Sequence, residues 1–152
     1  MKVERPLYFE DFAAGQVYET ERCTLTEAEI VEFGEKYAPL PYHTDPVAAK
    51  ASSFGGLVAA GYHTVSVSFG LFVRTGALSE SGMGSPGVDS LRWKLPVKAG
   101  DTLRVLANIV EVSPAQAEGG RDAIRIRYDT LNQDDRIVMT LTSLHFVRRR
   151  NA

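Results

Sequence analysis

Residues 57–73 have the sequence LVAAGYHTVSVSFGLFV and decide the fold, because they are the most apolar stretch of the 152-residue chain. Their large apolar side chains recur at helical spacing, at Val58, Tyr62, Val65, Phe69, Phe72 and Val73. Little polar surface remains on the other faces, which is typical of a helix covered by other structure. The stretch is shorter than the ~20 apolar residues of a membrane span, and Gly61, His63 and Ser66 interrupt it. We therefore predict a buried helix from about Val58 to Thr75.

Two shorter helix signals precede this segment. Thr26 is followed three residues later by a glutamate, a capping-box pattern that predicts a helix ending before Pro39. Asp45 and Pro46 combine an N-cap residue with proline at the first helical position, which predicts a second helix start. The prolines at positions 39 and 41 predict an extended, stiff connection between the two helices.

After residue 85 the pattern changes from helices to strands. Alternating apolar residues and turn signals predict strands over residues 86–95, 103–109, 124–130 and 137–147, and an earlier strand over 17–25. A strand, then helices, then strands joined by short turns indicates the α+β class, with an antiparallel β-sheet wrapped around one long central α-helix. The chain shows no internal repeat and no linker, so we predict that residues 1–152 form a single domain.

Composition excludes several classes of function. Seventeen basic and nineteen acidic residues leave a net charge of -2, which indicates no general affinity for nucleic acid or for an anionic membrane. Cys23 is the only cysteine, which excludes an internal disulfide and fits a reducing cytoplasm. Residues 1–10 lack the apolar core of a signal peptide. The arginines at 148–150 favour a solvated tail, with a weak contact to a ligand phosphate as the second interpretation.

Two blocks of the sequence resemble a known family. Residues 33–64, FGEKYAPLPYHTDPVAAKASSFGGLVAAGYHT, and residues 91–103, LRWKLPVKAGDTL, are similar in order and separation to the MaoC-like dehydratases, relatives of the (R)-specific enoyl-CoA hydratases. The resemblance implies a hot-dog fold, a homodimer or higher homo-oligomer, and an acyl-CoA thioester near the dimer interface. It also implies reversible hydration of 2-enoyl-CoA in fatty acid metabolism, with no separate cofactor because coenzyme A is part of the substrate.

The same resemblance implies a set of site residues. His43 matches the family's catalytic histidine, a general acid and base, and Gly61 matches the glycine whose backbone N–H stabilises charge on the thioester oxygen. The aspartate that partners the histidine in the family is replaced here by Ala38, five residues before His43, and the neighbouring polar position of the family motif, usually glutamine or asparagine, is Leu40. The residues expected to contact the substrate are Ala38, Leu40, Tyr42, Tyr62 and Ser66.

The replacement at Ala38 leaves several hypotheses open. Asp45 and Glu35 are the carboxylates near enough in sequence to substitute for the aspartate, although we favour neither. Without a substitute, the chain is a non-catalytic acyl-CoA-binding domain or the inactive partner of an active subunit. Thioester hydrolysis is a third possibility, which usually needs a carboxylate facing the thioester. His43 and His63 do not have metal-site spacing, so we expect no metal, and we expect His63 to lie in the core.

Overall fold

A computed structural model describes residues 2–151. A short 3-10 turn at Phe9–Asp11 is followed by helices and strands. The helices are α1 (Glu27–Tyr37), α2 (Pro41–Thr44), α3 (Pro46–Lys50) and α4 (Gly61–Val73). The strands are β1 (Val17–Glu19), β2 (Cys23–Thr24), β3 (Gly87–Trp93), β4 (Thr102–Ser113), β5 (Ala123–Leu131) and β6 (Ile137–Phe146). Across residues 2–151 no helix has the length and apolar character needed to cross a membrane.

The strands form one antiparallel sheet in the order β1-β4-β5-β6-β3, and β2 pairs with the start of β4. In the centre of the sheet, Ala107 lies opposite Tyr128 and Thr130 lies opposite Met139. The alternation of apolar residues along β4 and β5 places one side chain in two against the core, as period-two patterning requires. The predicted α+β class and the four later strands are confirmed.

Helix α4 packs its buried side against this sheet. Phe72 is fully buried, and its ring lies 5.4 Å from the ring of Tyr128. Ser68 and Thr130 are also fully buried, and their hydroxyl oxygens form a hydrogen bond at 2.8 Å. Each polar group therefore has a partner inside the core. The other side of the helix is open: Tyr62, Phe69 and Val73 are 67%, 45% and 47% exposed. The prediction of a helix covered all round is therefore wrong for the isolated chain.

The region before α4 confirms the predicted caps and corrects the connection between them. The Thr26 hydroxyl accepts a hydrogen bond from the Glu29 N–H at 3.2 Å, and Asp45 caps α3. The predicted extended connection is wrong, because Pro41 occupies the first position of the four-residue helix α2. A proline is favoured there, since its fixed φ suits a helix start and it has no N–H to satisfy. The strand predicted over 17–25 is two short strands, β1 and β2.

The C-terminal arginines are not the solvated tail that the sequence favours. The Phe9 N–H donates to the Arg148 carbonyl at 3.1 Å, which fastens this segment to the N-terminal turn. Arg149 forms an ion pair with Asp122 at 2.8 Å, and Arg150 forms one with Asp11. These acidic partners are remote in sequence, so local pattern alone does not reveal them.

Candidate active site

A cavity of about 470 Å³ lies at the N-terminal end of α4, a volume within the usual range for small-molecule sites. Its walls come from α2, from the start of α4 and from the segment that follows β3. We call it the first cavity, and the residues used below that line it are Ala38, Leu40, Tyr42, His43, Gly61, Tyr62, Trp93 and Lys94.

His43 is the polar group best placed for chemistry in the first cavity. It lies on α2 and is only 8% exposed, and its Nδ1 is 2.6 Å from the carbonyl oxygen of Val58. Because a carbonyl can only accept a hydrogen bond, Nδ1 must carry the proton of the neutral ring. The lone pair is then on Nε2, which has no hydrogen-bond partner among residues 2–151. The arrangement presents a basic nitrogen with a fixed orientation.

Gly34 allows α2 to approach α1 closely enough to hold His43 in place. A Cβ at Gly34 would lie 2.7 Å from the His43 carbonyl oxygen and 3.0 Å from the His43 Cβ. The first contact is shorter than a Cβ atom tolerates and is with backbone, and the second is tight, so any larger residue would push α2 away. The sequence analysis does not predict that Gly34 positions His43. Its only local signal is a glycine in the interior of a helix, where glycine is unfavourable.

The N-terminus of α4 forms a second polar feature of the first cavity. Ala60 precedes the helix and offers no side-chain cap, and the N–H groups of Gly61 and Tyr62 have no acceptor among the described residues. Unpaired N–H groups at a helix N-terminus, together with the helix dipole, favour negative charge on a ligand atom. The first cavity therefore combines a basic nitrogen with donors suited to an oxyanion.

Trp93 closes the wall beside this helix end. Its indole N–H donates to the Gly61 carbonyl at 2.9 Å. A Cβ at Gly61 would lie 2.5 Å from the indole ring, so glycine is needed for the close approach of the tryptophan. The structure places the ring 47% exposed in the cavity wall.

The structure brings together six of the seven predicted site residues. The six that line the first cavity are Ala38, Leu40, Tyr42, His43, Gly61 and Tyr62. Ser66 lies apart from them. Its hydroxyl donates to the Tyr62 carbonyl at 2.9 Å, and its side chain lines a second, separate cavity.

Within residues 2–151, no carboxylate takes the place of the missing aspartate. Among the described residues, no Asp or Glu lines the first cavity. Asp45 accepts hydrogen bonds from the Val47 and Ala48 N–H groups at 2.9 and 3.2 Å, so its carboxylate is occupied as a helix cap. Glu35 lies in a different groove, beside Glu32 and Thr44. Neither substitute considered from the sequence reaches the first cavity.

His63 is a core residue. It is 7% exposed and stacks on Phe33 with ring centroids 4.6 Å apart, and burial lowers its pKa. Within residues 2–151 there is no group of three or more His, Cys, Asp or Glu side chains arranged to hold a metal ion.

An antiparallel sheet packed against one helix, with a ligand-sized cavity at the start of that helix, defines this chain as a hot-dog domain. A Mycobacterium tuberculosis protein described as having a double hotdog fold superposes with a TM-score of 0.80 at 21% identity. The match covers 95% of this chain and 44% of that one. The MaoC-like dehydratase from Rhodospirillum rubrum superposes with a TM-score of 0.87 at 33% identity, over 95% of this chain and 98% of that one.

The chain belongs to the MaoC-like domain family, whose profile matches residues 11–124. It is also similar to the protein MaoC of Klebsiella aerogenes, with 41% identity over 99 residues. That alignment covers 64% of this chain but only 29% of the relative's length.

Proposed function

We propose that this domain binds the acyl thioester of coenzyme A in the first cavity and catalyses the reversible hydration of 2-enoyl-CoA. One observation carries the proposal: the free Nε2 side of His43 and the uncapped N–H groups of Gly61 and Tyr62 belong to one cavity. Family membership and the similar dehydratase support the same reaction type. Lys94 is exposed at the cavity wall and forms no ion pair with a described residue. Its ammonium group is suited to bind a phosphate of coenzyme A.

Each group has a defined part in the reaction. His43 Nε2 accepts a proton from water as the water oxygen bonds to the β-carbon. The electron pair of the double bond then moves to the thioester oxygen, where the Gly61 N–H donates a hydrogen bond to the developing enolate. The protonated His43 returns its proton to the α-carbon and the thioester carbonyl re-forms. One water is added and the histidine ends neutral, so the reverse sequence is dehydration.

The first cavity also favours a second function, which is acyl-CoA binding without turnover. Ala38 and Leu40 place hydrocarbon where the family has polar groups, and no described carboxylate lines the cavity. Water next to His43 is then held by a single side chain, and the loss of one member of an acid–base pair commonly costs ~10²–10⁴ in rate. Thioester hydrolysis is the least supported alternative, because it needs a carboxylate that faces the thioester.

Loss of the conjugated thioester absorbance separates these functions. The wild type, His43→Ala and Ala38→Asp are assayed with 2-enoyl-CoA substrates of short to long chain, with Glu35→Gln as a control for a recruited carboxylate. Wild-type hydration that disappears in His43→Ala and persists in Glu35→Gln supports the hydratase. An inert wild type that binds acyl-CoA in calorimetry, with activity appearing in Ala38→Asp, supports the binding domain. Absence of both binding and turnover in all variants would falsify the proposal.

We further propose that two copies associate through the open side of α4 and the edge strand β3. The exposed apolar side chains of this face are Tyr62, Phe69, Val73, Val88 and Trp93. β3 is hydrogen-bonded only to β6 among the described strands, so its other edge can pair with a second strand. The double hot-dog protein, whose chain is more than twice as long as the matched region, supports pairing of two such units. Cys23, a free thiol, suits the reducing cytoplasm that we propose as the location.

A matched pair of charge substitutions tests the association. Val88 on β3 and Val17 on the opposite edge strand β1 are 52% and 54% exposed. We expect a dimer for the wild type and for Val17→Glu in sedimentation velocity, and a monomer for Val88→Glu, because only Val88 lies on the proposed interface. A monomeric wild type, or equal effects of the two substitutions, contradicts the proposed interface.

A further inference from the structure

A second cavity of about 250 Å³ lies further along α4, between that helix and strands β3, β5 and β6. The lining residues that matter for its chemistry are Ser66, Phe69, Ser85, Tyr128, Ser143 and His145. Five of these six carry a polar atom. The other residues that line it, Val65, Val88 and Leu141, are apolar.

The deepest part of the second cavity is a buried pair of polar groups. The Tyr128 hydroxyl and His145 Nε2 are 2.8 Å apart, and the two residues are 1% and 5% exposed. His145 stacks on Phe69 with ring centroids 5.9 Å apart, which fixes the plane of the imidazole. Its Nδ1 has no hydrogen-bond partner among residues 2–151. This ring nitrogen is therefore available to a ligand or to a water molecule.

The serines add further hydrogen-bonding groups. Ser143 and Ser85 lie with their hydroxyl oxygens 3.1 Å apart, and both hydroxyls also approach the Gly87 carbonyl at 3.1 Å. Ser66 donates its proton to the Tyr62 carbonyl, so its oxygen remains available as an acceptor. The second cavity can therefore both accept and donate hydrogen bonds.

All of this polarity is uncharged. Burial lowers the pKa of His145 to about 4 and raises the pKa of Tyr128, so both are neutral at physiological pH. No Lys, Arg, Asp or Glu is among the described residues that line the second cavity. A carboxylate placed there would lose its hydration without gaining a countercharge. A purely hydrocarbon group would instead leave buried polar atoms unpaired, which also costs free energy.

The two cavities lie along the same helix, α4. Gly61 lines the first cavity and Ser66 the second, and five residues of helix place them roughly 7.5 Å apart along the axis. An extended acyl chain of medium length, on a thioester held at Gly61, is long enough to span this distance. We propose that the second cavity selects acyl groups with an uncharged polar substituent, a hydroxyl or a carbonyl, at their distal end. This inference rests on the proposed binding of acyl-CoA in the first cavity.

Calorimetric binding of three saturated ligands tests this selection independently of turnover. Heptanoyl-CoA and 6-hydroxyhexanoyl-CoA have the same number of non-hydrogen atoms, and adipoyl-CoA carries a distal carboxylate. We expect the wild type to bind the hydroxylated ligand about threefold to tenfold more tightly than heptanoyl-CoA, the value of one hydrogen bond. Adipoyl-CoA should bind more weakly than the hydroxylated ligand.

Two variants test whether the second cavity causes the preference for the hydroxylated ligand. His145→Phe keeps an aromatic ring against Phe69 and removes both ring nitrogens. Ser66→Ala changes a side chain on the open side of α4 and should leave folding intact. Each should reduce the preference for the hydroxylated ligand, and Ser79→Ala, on a surface turn outside both cavities, should not.

Every outcome of the binding series decides the question. A preference in the wild type that falls in either cavity variant and persists in Ser79→Ala supports the inference. Equal binding of heptanoyl-CoA and 6-hydroxyhexanoyl-CoA overturns it while leaving acyl-CoA binding intact, and means that the second cavity holds only water. A preference that both cavity variants retain, or adipoyl-CoA as the tightest ligand, also overturns it. Binding of none of the three ligands overturns this inference together with the proposed function.

Discussion

The two cavities along α4 each contain a buried histidine, but they are built from different kinds of structure. The first cavity is formed by the four-residue helix α2, the segment after β3 and the uncapped start of α4. The second lies between the middle of α4 and the central strands β5 and β6. The wall of the first therefore depends on a few local contacts, such as Gly34 against His43, whereas that of the second includes Tyr128 and Leu141 of the hydrophobic core.

The partner of each histidine determines what its ring can do. The Val58 carbonyl can only accept, so it fixes the proton on Nδ1 of His43 and leaves Nε2 as a base. The Tyr128 hydroxyl can donate or accept, so it allows either tautomer of His145. A carbonyl partner suits proton transfer, and a hydroxyl partner suits recognition of a polar group.

The largest expected effect compares the buried side of α4 with its open side. Phe72→Ala should lower the free energy of unfolding by about 3–5 kcal/mol, because Phe72 is fully buried against Tyr128. Phe69→Ala, on the open side of the same helix, should cost about 1 kcal/mol or less. Urea unfolding of both, in the Val88→Glu background to exclude association, measures the difference. Equal losses would show that the two sides of α4 contribute alike.

The second prediction uses the burial of His145. Its pKa falls from 6.5 to about 4 on folding because burial disfavours the charged ring. Between these values the unfolded chain binds the proton and the folded chain does not. The free energy of unfolding should therefore decrease as pH falls from 6.5 to 4, by up to about 1.4 kcal/mol per pH unit from this group.

Comparison with His145→Phe isolates this contribution. The variant lacks the titrating ring but keeps His63, whose pKa burial also lowers, so the difference between the two unfolding curves reports His145 alone. We expect the variant to lose stability less steeply below pH 6.5. Parallel curves for the two proteins contradict the assignment of His145 as a buried neutral histidine.

A third prediction concerns the start of α4 in the first cavity. Gly61→Ala should cost about 1–3 kcal/mol of stability, because the added Cβ would lie 2.5 Å from the Trp93 ring. Trp93 is the only tryptophan, so its fluorescence reports the displacement directly. The matched control is Gly56→Ala, where an added Cβ meets nothing within 4 Å. An unchanged emission spectrum in Gly61→Ala would contradict the close packing of Gly61 and Trp93.

The smallest expected effect concerns the hydrocarbon wall beside His43. Leu40 lines the first cavity and is 47% exposed. Leu40→Asn, which restores a polar group typical of the family, should change the free energy of unfolding by less than about 0.5 kcal/mol, since the site is at the surface. Thermal unfolding measures this. A loss above 2 kcal/mol would mean that Leu40 is retained for stability rather than for the character of the cavity.

Much of the fold follows from the sequence. The caps at Thr26 and Asp45 are satisfied by N–H groups within three residues, so local pattern predicts both helix starts. The alternation over 103–109 and 124–130 likewise predicts β4 and β5, because successive side chains of a strand point to opposite faces. Helix α2 was not predicted, since the prolines at 39 and 41 suit an extended chain as well as a helix start.

The candidate site, like the fold, was predicted from the sequence only in part. The sequence by itself determined the order of the longer helices and strands, the family resemblance and the prediction of His43 and Gly61 as site residues. Only the tertiary structure decided that Asp45 and Glu35 stay outside the first cavity, that Gly34 positions His43, and that the second cavity exists. The physical reason is distance along the chain. Caps and alternation involve near neighbours, whereas Tyr128 and His145 are brought together by pairing of β5 with β6 and are covered by α4.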